Sequence, residues 1–375
     1  MNKENILVTA EKTLELTMQR ETGRKERIGI RSEYPQTEAT IGVFRSLALM
    51  YLVSPYLPEK ITTDFFVPQV FRELIEDMYL CESKEKPLFL LTDPRFAKKP
   101  EPYYKFDGEV GDGKSVVTFS GGKDSLWNLD WLVREQGLSN VLGVHFERIN
   151  QGVSSEELKA TLRQHEQIGF PLEVIDLLNS SKNSGKNIMR ARDMFLVGLS
   201  IPYAYEFEAS KIILEGGFYK DDLVKNEPFT CYESAWNVFN RTLSSLGIPV
   251  EASWRDSDGM STVKDLITNR PEWLPLVYNC FAPEVYKPER RRKWQKVAPT
   301  FPLFDSQCGS CVKCRELNIA RIAFDPSIEK AKTEDIREYI RDTKRWAKKH
   351  ELDMVDFLAG AFLEQLNKMA SKYEV

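Results

Sequence analysis

The sequence lacks any run of about 18 apolar residues, the least that a membrane-spanning helix needs, so no membrane partner is expected. The stretch from Met1 to Arg20 alternates charged and apolar residues and has no signal-peptide core. A cytoplasmic protein is the resulting expectation. Excess charge of one sign is also missing. The net charge is −4 over 375 residues, which argues against a general nucleic-acid coat and leaves room only for local basic patches. Histidine is scarce, at three residues, and each lies far in sequence from the cysteine cluster. Cysteine is scarce too, yet three of the six fall within seven residues. In a cytoplasmic chain that spacing points to a metal rather than to disulfides.

What the chain does have is Ser120-Gly121-Gly122-Lys123-Asp124-Ser125. A short apolar run, Val116 to Phe119, precedes it and reads as a buried parallel strand. Leu126 to Val133 follows, with apolar residues at helical spacing. Strand, glycine turn and helix start together make an anion site, because glycines let the backbone come close and helix N-termini present N–H groups. Ser120 and Ser125 add hydroxyl donors. Asp124 suits a phosphate cradle only with a cation between, so it reads as a Mg²⁺ contact. Lys123 can offset phosphate charge. The loop is not of the GxxxxGK[ST] type.

The length allows two or three domains. Residues 1–110 read as an N-terminal accessory domain, with helices at Thr40–Val53 and Val67–Leu80 and a strand at Pro87–Leu91. From Ser115 strands and helices alternate, which predicts an α/β fold with a doubly wound parallel sheet over residues 111–275. The strands are Val141–Phe146, Leu172–Ile175, Lys211–Glu215 and Val250–Trp254. The helices are Ser154–Ile168, Asn187–Ala209 (with a kink at Pro202) and Glu233–Leu246. Ligands in such sheets bind beyond the carboxyl ends of the strands. That rule gathers the Ser120–Ser125 loop, Glu147-Arg148, Asp176 and Gly216-Gly217, with His145 as a further nucleotide contact on the second strand. Asp176 can bind Mg²⁺ or a ribose hydroxyl, or equally cap a turn. Arg190 and Arg192 precede a long apolar helix, where one or both can clamp phosphate oxygens.

Cys308-Gly309-Ser310-Cys311-Val312-Lys313-Cys314 is a CxxCxxC run. Three thiolates this close can share one Zn²⁺, and tetrahedral zinc needs a fourth ligand. Cys280 is the first candidate and Cys231 the second. Cys81 reads as an ordinary buried thiol, and an iron–sulfur cluster remains an alternative from ligand type alone. Residues 276–325 thus read as a four-cysteine zinc-binding subdomain and residues 326–375 as C-terminal helices. Lys287 to Lys293 is strongly basic. It reads as a solvated loop or as a contact patch for an acidic partner or RNA.

The SGGxDS loop resembles the pyrophosphatase loop of the N-type ATP pyrophosphatase (PP-loop) superfamily. With one cysteine and then CxxCxxC, residues 115–325 resemble the 7-cyano-7-deazaguanine synthase family. Tyr203-Ala204-Tyr205 falls where that family ends its long helix, which places Arg192 on the family's arginine, and Gly216-Gly217 on its post-strand glycine. The resemblance implies an adenine nucleotide alpha hydrolase-like fold, ATP, Mg²⁺ and Zn²⁺. It implies adenylation of a 7-carboxy-7-deazaguanine-like carboxylate with release of pyrophosphate, then transfer to an amine. Asp124, Lys123 and Arg192 are then the catalytic candidates, and Cys280, Cys308, Cys311 and Cys314 the zinc ligands.

The chain departs from the family in its first 110 residues, in its long basic spacer between the zinc cysteines, and in Tyr232-Glu233-Ser234-Ala235-Trp236, where the family has Tyr-Pro-Asp-Cys-Arg. Members with extra N-terminal domains resemble components of anti-phage systems proposed to attach a deazaguanine to a protein amine. That is the leading expectation. Free-base nitrile synthesis with ammonia, tRNA modification and a non-catalytic nucleotide-binding scaffold are the alternatives. The deazaguanine, a protein acceptor, RNA and a second copy of the chain are the candidate partners.

Overall fold

A computed structural model of the chain describes residues 5–12, 14–83, 89–92, 104–106, 108–149, 154–180, 190–214, 228–256, 258–280, 297, 311–350 and 357–375. The chain divides into two compact units. One comprises Met1–Thr118, Ser139–Ile149 and Pro171–Arg255, the other Phe119–Leu138, Asn150–Phe170 and Asp256–Val375.

The first unit is α/β, built on a large, mostly parallel sheet. Its strands are β1 (Asn5–Lys12), β2 (Glu15–Arg20), β3 (Lys25–Ile30), β4 (Lys60–Thr63), β5 (Phe89–Thr92), β6 (Gly111–Thr118), β7 (Val141–Glu147), β8 (Leu172–Asn179), β9 (Ala209–Ile213) and β10 (Glu251–Ser253). They lie in the order β10-β9-β6-β7-β8-β3-β2-β1-β4-β5. From β10 to β8 every pairing is parallel. Strand β7 is buried from Val141 to Phe146, His145 included, as expected of a strand inside a parallel sheet. Strand β8 is longer than the sequence suggests. Its far end, Leu177–Asn179, pairs antiparallel with Ile28–Ile30 of β3. The N-terminal strands therefore extend the same sheet.

Helices α1 (Glu38–Val53), α2 (Gln69–Ser83), α5 (Arg192–Glu206) and α6 (Glu233–Ser245) belong to this unit. Helix α1 opens with a capping box in which Thr37 and Thr40 each accept the other's backbone N–H, at 3.2 and 2.8 Å. It packs on α5, where a Cβ on Gly198 would overlap Leu47. A glycine there lets two nearly all-buried helices approach. Helix α5 starts at Arg192 and runs through Pro202 to Glu206, shorter than the span its apolar pattern suggests.

The second unit is helical in its described residues, with α3 (Lys123–Gln136), α4 (Ser154–Ile168), α7 (Gly259–Asn269), α8 (Val312–Phe324), α9 (Thr333–Lys349) and α10 (Phe357–Lys372). Polar links between core faces set its packing. Trp127 Nε1 donates to Asp265 at 3.0 Å and Arg270 to Asp130 at 2.8 Å, joining α3 to α7 and to the residue that ends it. Asn318 donates to the Tyr339 hydroxyl at 2.7 Å, and Arg315 to Thr343 and Asp342, joining α8 to α9. Burial pushes the Tyr339 phenol up. No helix among the described residues is long and apolar enough to cross a membrane.

Candidate functional site

The chain leaves β6 at Thr118 and enters α3 at Lys123, so the serine–glycine turn is a strand-to-helix turn. Gly121 sits at φ +77°, a left-handed conformation that disfavours any Cβ. A Cβ there would also lie 3.1 Å from Thr161 Oγ1 and 3.2 Å from Gln164 Oε1. Gly122 is the N-cap residue of α3 and supplies no side-chain cap. The first turn of a helix has N–H groups without intrahelical acceptors and carries the positive end of the dipole. Ser120 and Ser125 meet across the turn with their hydroxyls 3.0 Å apart, and Ser120 N–H donates to Ser125 Oγ at 3.0 Å.

Two partners clamp the turn from the same unit. Gln164 of α4 is fully buried, and its Nε2 donates to Gly121 O at 2.8 Å and to Leu276 O at 2.6 Å. Tyr278 N–H donates to Gly121 O at 3.0 Å. The segment Leu276–Cys280 thus lies along the turn and leads directly to the cysteines.

Lys123 is 6% exposed. Its Nζ lies 2.8 and 3.0 Å from the two Asp124 oxygens and 3.6 Å from Glu316 Oε2. Burial pushes the Glu316 carboxyl up; Lys123 pulls it down and Asp124 pushes it further up. Glu316 sits on α8, and a Cβ on Gly259 would overlap its Oε1. Neither Glu316 nor Gln164 stands out in the sequence. Each sits within an amphipathic helix where a polar residue reads as solvated.

Cys280, Cys311 and Cys314 are buried, with their sulfurs all within 4.8 Å of one another. Tetrahedral thiolate ligands at about 2.3 Å from zinc lie about 3.8 Å apart, so the three fit one metal such as zinc. Cys311 is the N-cap residue of α8 and Cys314 lies in its first turn, which is why x-x spacing converges the two sulfurs. They pack with Tyr278 and with Ala160 of α4, one turn before Gln164. Cys314 Sγ donates to Asn279 O at 3.3 Å, and Asn279 Nδ2 to Lys313 O at 2.6 Å. None of the described cysteines is in a disulfide. Cys81 and Cys231 lie against the apolar core of the first unit. Cys308, Gly216, Gly217 and the basic stretch Lys287–Lys293 lie outside the described residues.

The remaining candidates belong to the first unit. His145 is buried at the centre of the sheet, opposite Val174. Asp176 pairs with Arg148 at 3.1 Å, and its backbone N–H donates to Ser32 Oγ at 3.2 Å. Arg192, the first residue of α5, pairs with Asp193 at 2.8 Å. Arg190 is held by Glu82 at 2.6 Å and donates to Ser54 O at 2.9 Å. The sequence also contains a G-x-x-x-x-G-K-S pattern, Gly108 to Ser115. It runs into a strand rather than into a helix, and Lys114 pairs with Glu208 at 2.6 Å, so it has none of the P-loop context. A scan against protein-family models finds no match, and no curated protein matches the sequence.

Proposed function

We propose that this chain is a PP-loop enzyme that cleaves ATP to AMP and pyrophosphate in order to activate a carboxylate. The observation that carries the reading is the Ser120–Ser125 turn, with its left-handed Gly121, uncapped helix start and paired hydroxyls. The strand order supports it. In chain order from β6, the parallel strands run third, second, first, fourth, fifth, the doubly wound order of an adenine nucleotide alpha hydrolase-like fold. Its switch point is at β6, whose carboxyl end is the turn.

In this reading a substrate carboxylate oxygen attacks the α-phosphorus of ATP, and the bond to the bridging oxygen of the β-phosphate breaks. The α3 N-terminus, Ser120 and Ser125 receive the departing pyrophosphate. Lys123 offsets its charge, and Asp124 holds Mg²⁺. Bound Mg²⁺ supplies further charge neutralisation on the pyrophosphate. An amine nitrogen then attacks the acyl carbon, AMP leaves and the nitrogen loses a proton. No protein nucleophile is needed. Cys280, Cys311 and Cys314, with Cys308 as the fourth thiolate, hold zinc as a structural anchor beside Leu276–Cys280. The proposed substrate rests on the family resemblance carried by the loop and the cysteines together. It is a 7-carboxy-7-deazaguanine-like acid, with a protein amine as acceptor in anti-phage defence. The test is release of pyrophosphate from Mg-ATP with 7-carboxy-7-deazaguanine. Asp124→Ala should abolish it with metal content unchanged. Full turnover in that variant would remove Asp124 and with it the loop assignment.

A further inference from the structure

We infer that Glu316 is a positioning residue for the loop lysine. Its carboxylate keeps the Lys123 ammonium beside the turn when Asp124 is drawn to a magnesium–nucleotide ligand. The inference rests on the nucleotide reading above. One ammonium is shared here by two carboxylates that differ in exposure: the Asp124 side chain is 26% exposed and the Glu316 side chain 15%. Asp124 is the closer partner and holds Lys123 with both oxygens. Those are the oxygens a divalent cation would take. A buried ammonium that loses one carboxylate is steadier where a second carboxylate stays beside it until the phosphate arrives. With Glu316 in place, Asp124 can turn to the cation while Lys123 keeps a partner in the same pocket. Without it, Lys123 closes fully onto Asp124, and an incoming ligand must break that pair unaided.

Two further features support a dedicated position. Glu316 lies on the helix that Cys311 begins and Cys314 anchors, so the cysteine centre sets where its carboxylate falls. Gly259, the first residue of α7, leaves the space that carboxylate occupies. A Cβ there would overlap Glu316 Oε1 and lie 3.0 Å from Lys123 Nζ. The atom displaced is the end of a flexible side chain, so Gly259→Ala moves the Glu316 carboxylate at little cost to the fold.

The experiment is titration calorimetry of the full chain with Mg-ATP and, separately, with magnesium pyrophosphate, alongside metal content and urea stability. Glu316→Gln should bind both about tenfold more weakly, the loss of a charge-assisted contact. Gly259→Ala should weaken binding in the same direction. Lys123→Met should also weaken it, and Lys123→Met/Glu316→Gln should be no weaker than Lys123→Met alone, because Glu316 acts through Lys123. A purely structural role for Glu316 would make the two losses add. Wild-type binding with unchanged or tighter binding in both Glu316→Gln and Gly259→Ala, or additive losses in the double variant, would overturn the inference alone. Wild-type protein that binds neither ligand would overturn the nucleotide reading and this role with it. Were Glu316→Gln to misfold, Gly259→Ala decides the matter.

Discussion

Replacing Gln164 by methionine removes one buried amide while keeping a side chain of similar length. Gln164 Nε2 donates at 2.8 Å to Gly121 O and at 2.6 Å to Leu276 O. Each bond contributes about 1 kcal/mol net. Gly121 O keeps the Tyr278 N–H at 3.0 Å, whereas Leu276 O loses its amide donor, at a cost of about 1–3 kcal/mol. The substitution also removes Gln164 Oε1, which is buried without a hydrogen-bond partner among the described residues. That recovers about 1–2 kcal/mol of desolvation. The balance is a loss of about 2 kcal/mol, concentrated where the turn meets Leu276–Cys280. Urea unfolding reads the total, and native-state hydrogen exchange reads the place. The Tyr278 amide should exchange about 30-fold faster in Gln164→Met, the equivalent of that loss. A variant within about 0.5 kcal/mol of wild type, with Tyr278 exchange unchanged, would refute the claim that Gln164 fixes the turn.

Other consequences are as direct. Cys311→Ser should lower bound zinc and thermal stability together, since binding free energy is folding free energy in such a site; unchanged zinc stoichiometry by atomic emission would remove Cys311 from the ligand set. Arg190→Met should cost about 2 kcal/mol in urea, because it takes the cation from the half-buried Glu82, which keeps the Phe229 N–H. Adding Glu82→Leu should recover part of that, and Mg-ATP affinity should stay at the wild-type value. Asp325→Asn should destabilise in a pH-dependent way. Partial burial raises the Asp325 carboxyl, but hydrogen bonds from Ser327 and Arg321 outweigh it and hold the group below the usual 3.8. A lowered folded value means the contribution is complete above the unfolded value and is lost as pH falls through the folded one. The gap between Asp325→Asn and wild type in urea should therefore be widest near neutrality and close in strong acid. A gap independent of pH would contradict that assignment.

The central strands were legible because strands inside a parallel sheet read as short apolar runs, such as Val141–Val144. Helix Ser154–Ile168 was legible to the residue from its apolar period. The strands of residues 5–30 were not. Strand β3 reads Lys-Glu-Arg-Ile-Gly-Ile, and Glu26 is buried in it with the Tyr56 hydroxyl and Arg24 as partners. A buried carboxylate breaks the alternation that marks a strand, and its partners are found only in the fold. The length of β8 depends on the same strands, since Leu177–Asn179 have no neighbour until β3 pairs with them. At the candidate site, glycines and cysteines carried the signal because their chemistry is tied to spacing. Cys280 joins Cys311 and Cys314 across 31 residues, as the count of tetrahedral ligands suggested. Glu316 and Gln164 act by position alone. Arg190, a phosphate-clamp candidate from its place before an apolar helix, pairs with Glu82 and Ser54, partners that only the fold brings to it.

The most direct test of the account is the site of ATP cleavage. Full-length protein incubated with Mg-ATP, 7-carboxy-7-deazaguanine and an amine source should yield AMP and pyrophosphate in equal amounts by mass spectrometry, with Asp124→Ala yielding neither. ADP and phosphate as products, or equal yields from wild type and Asp124→Ala, would contradict it.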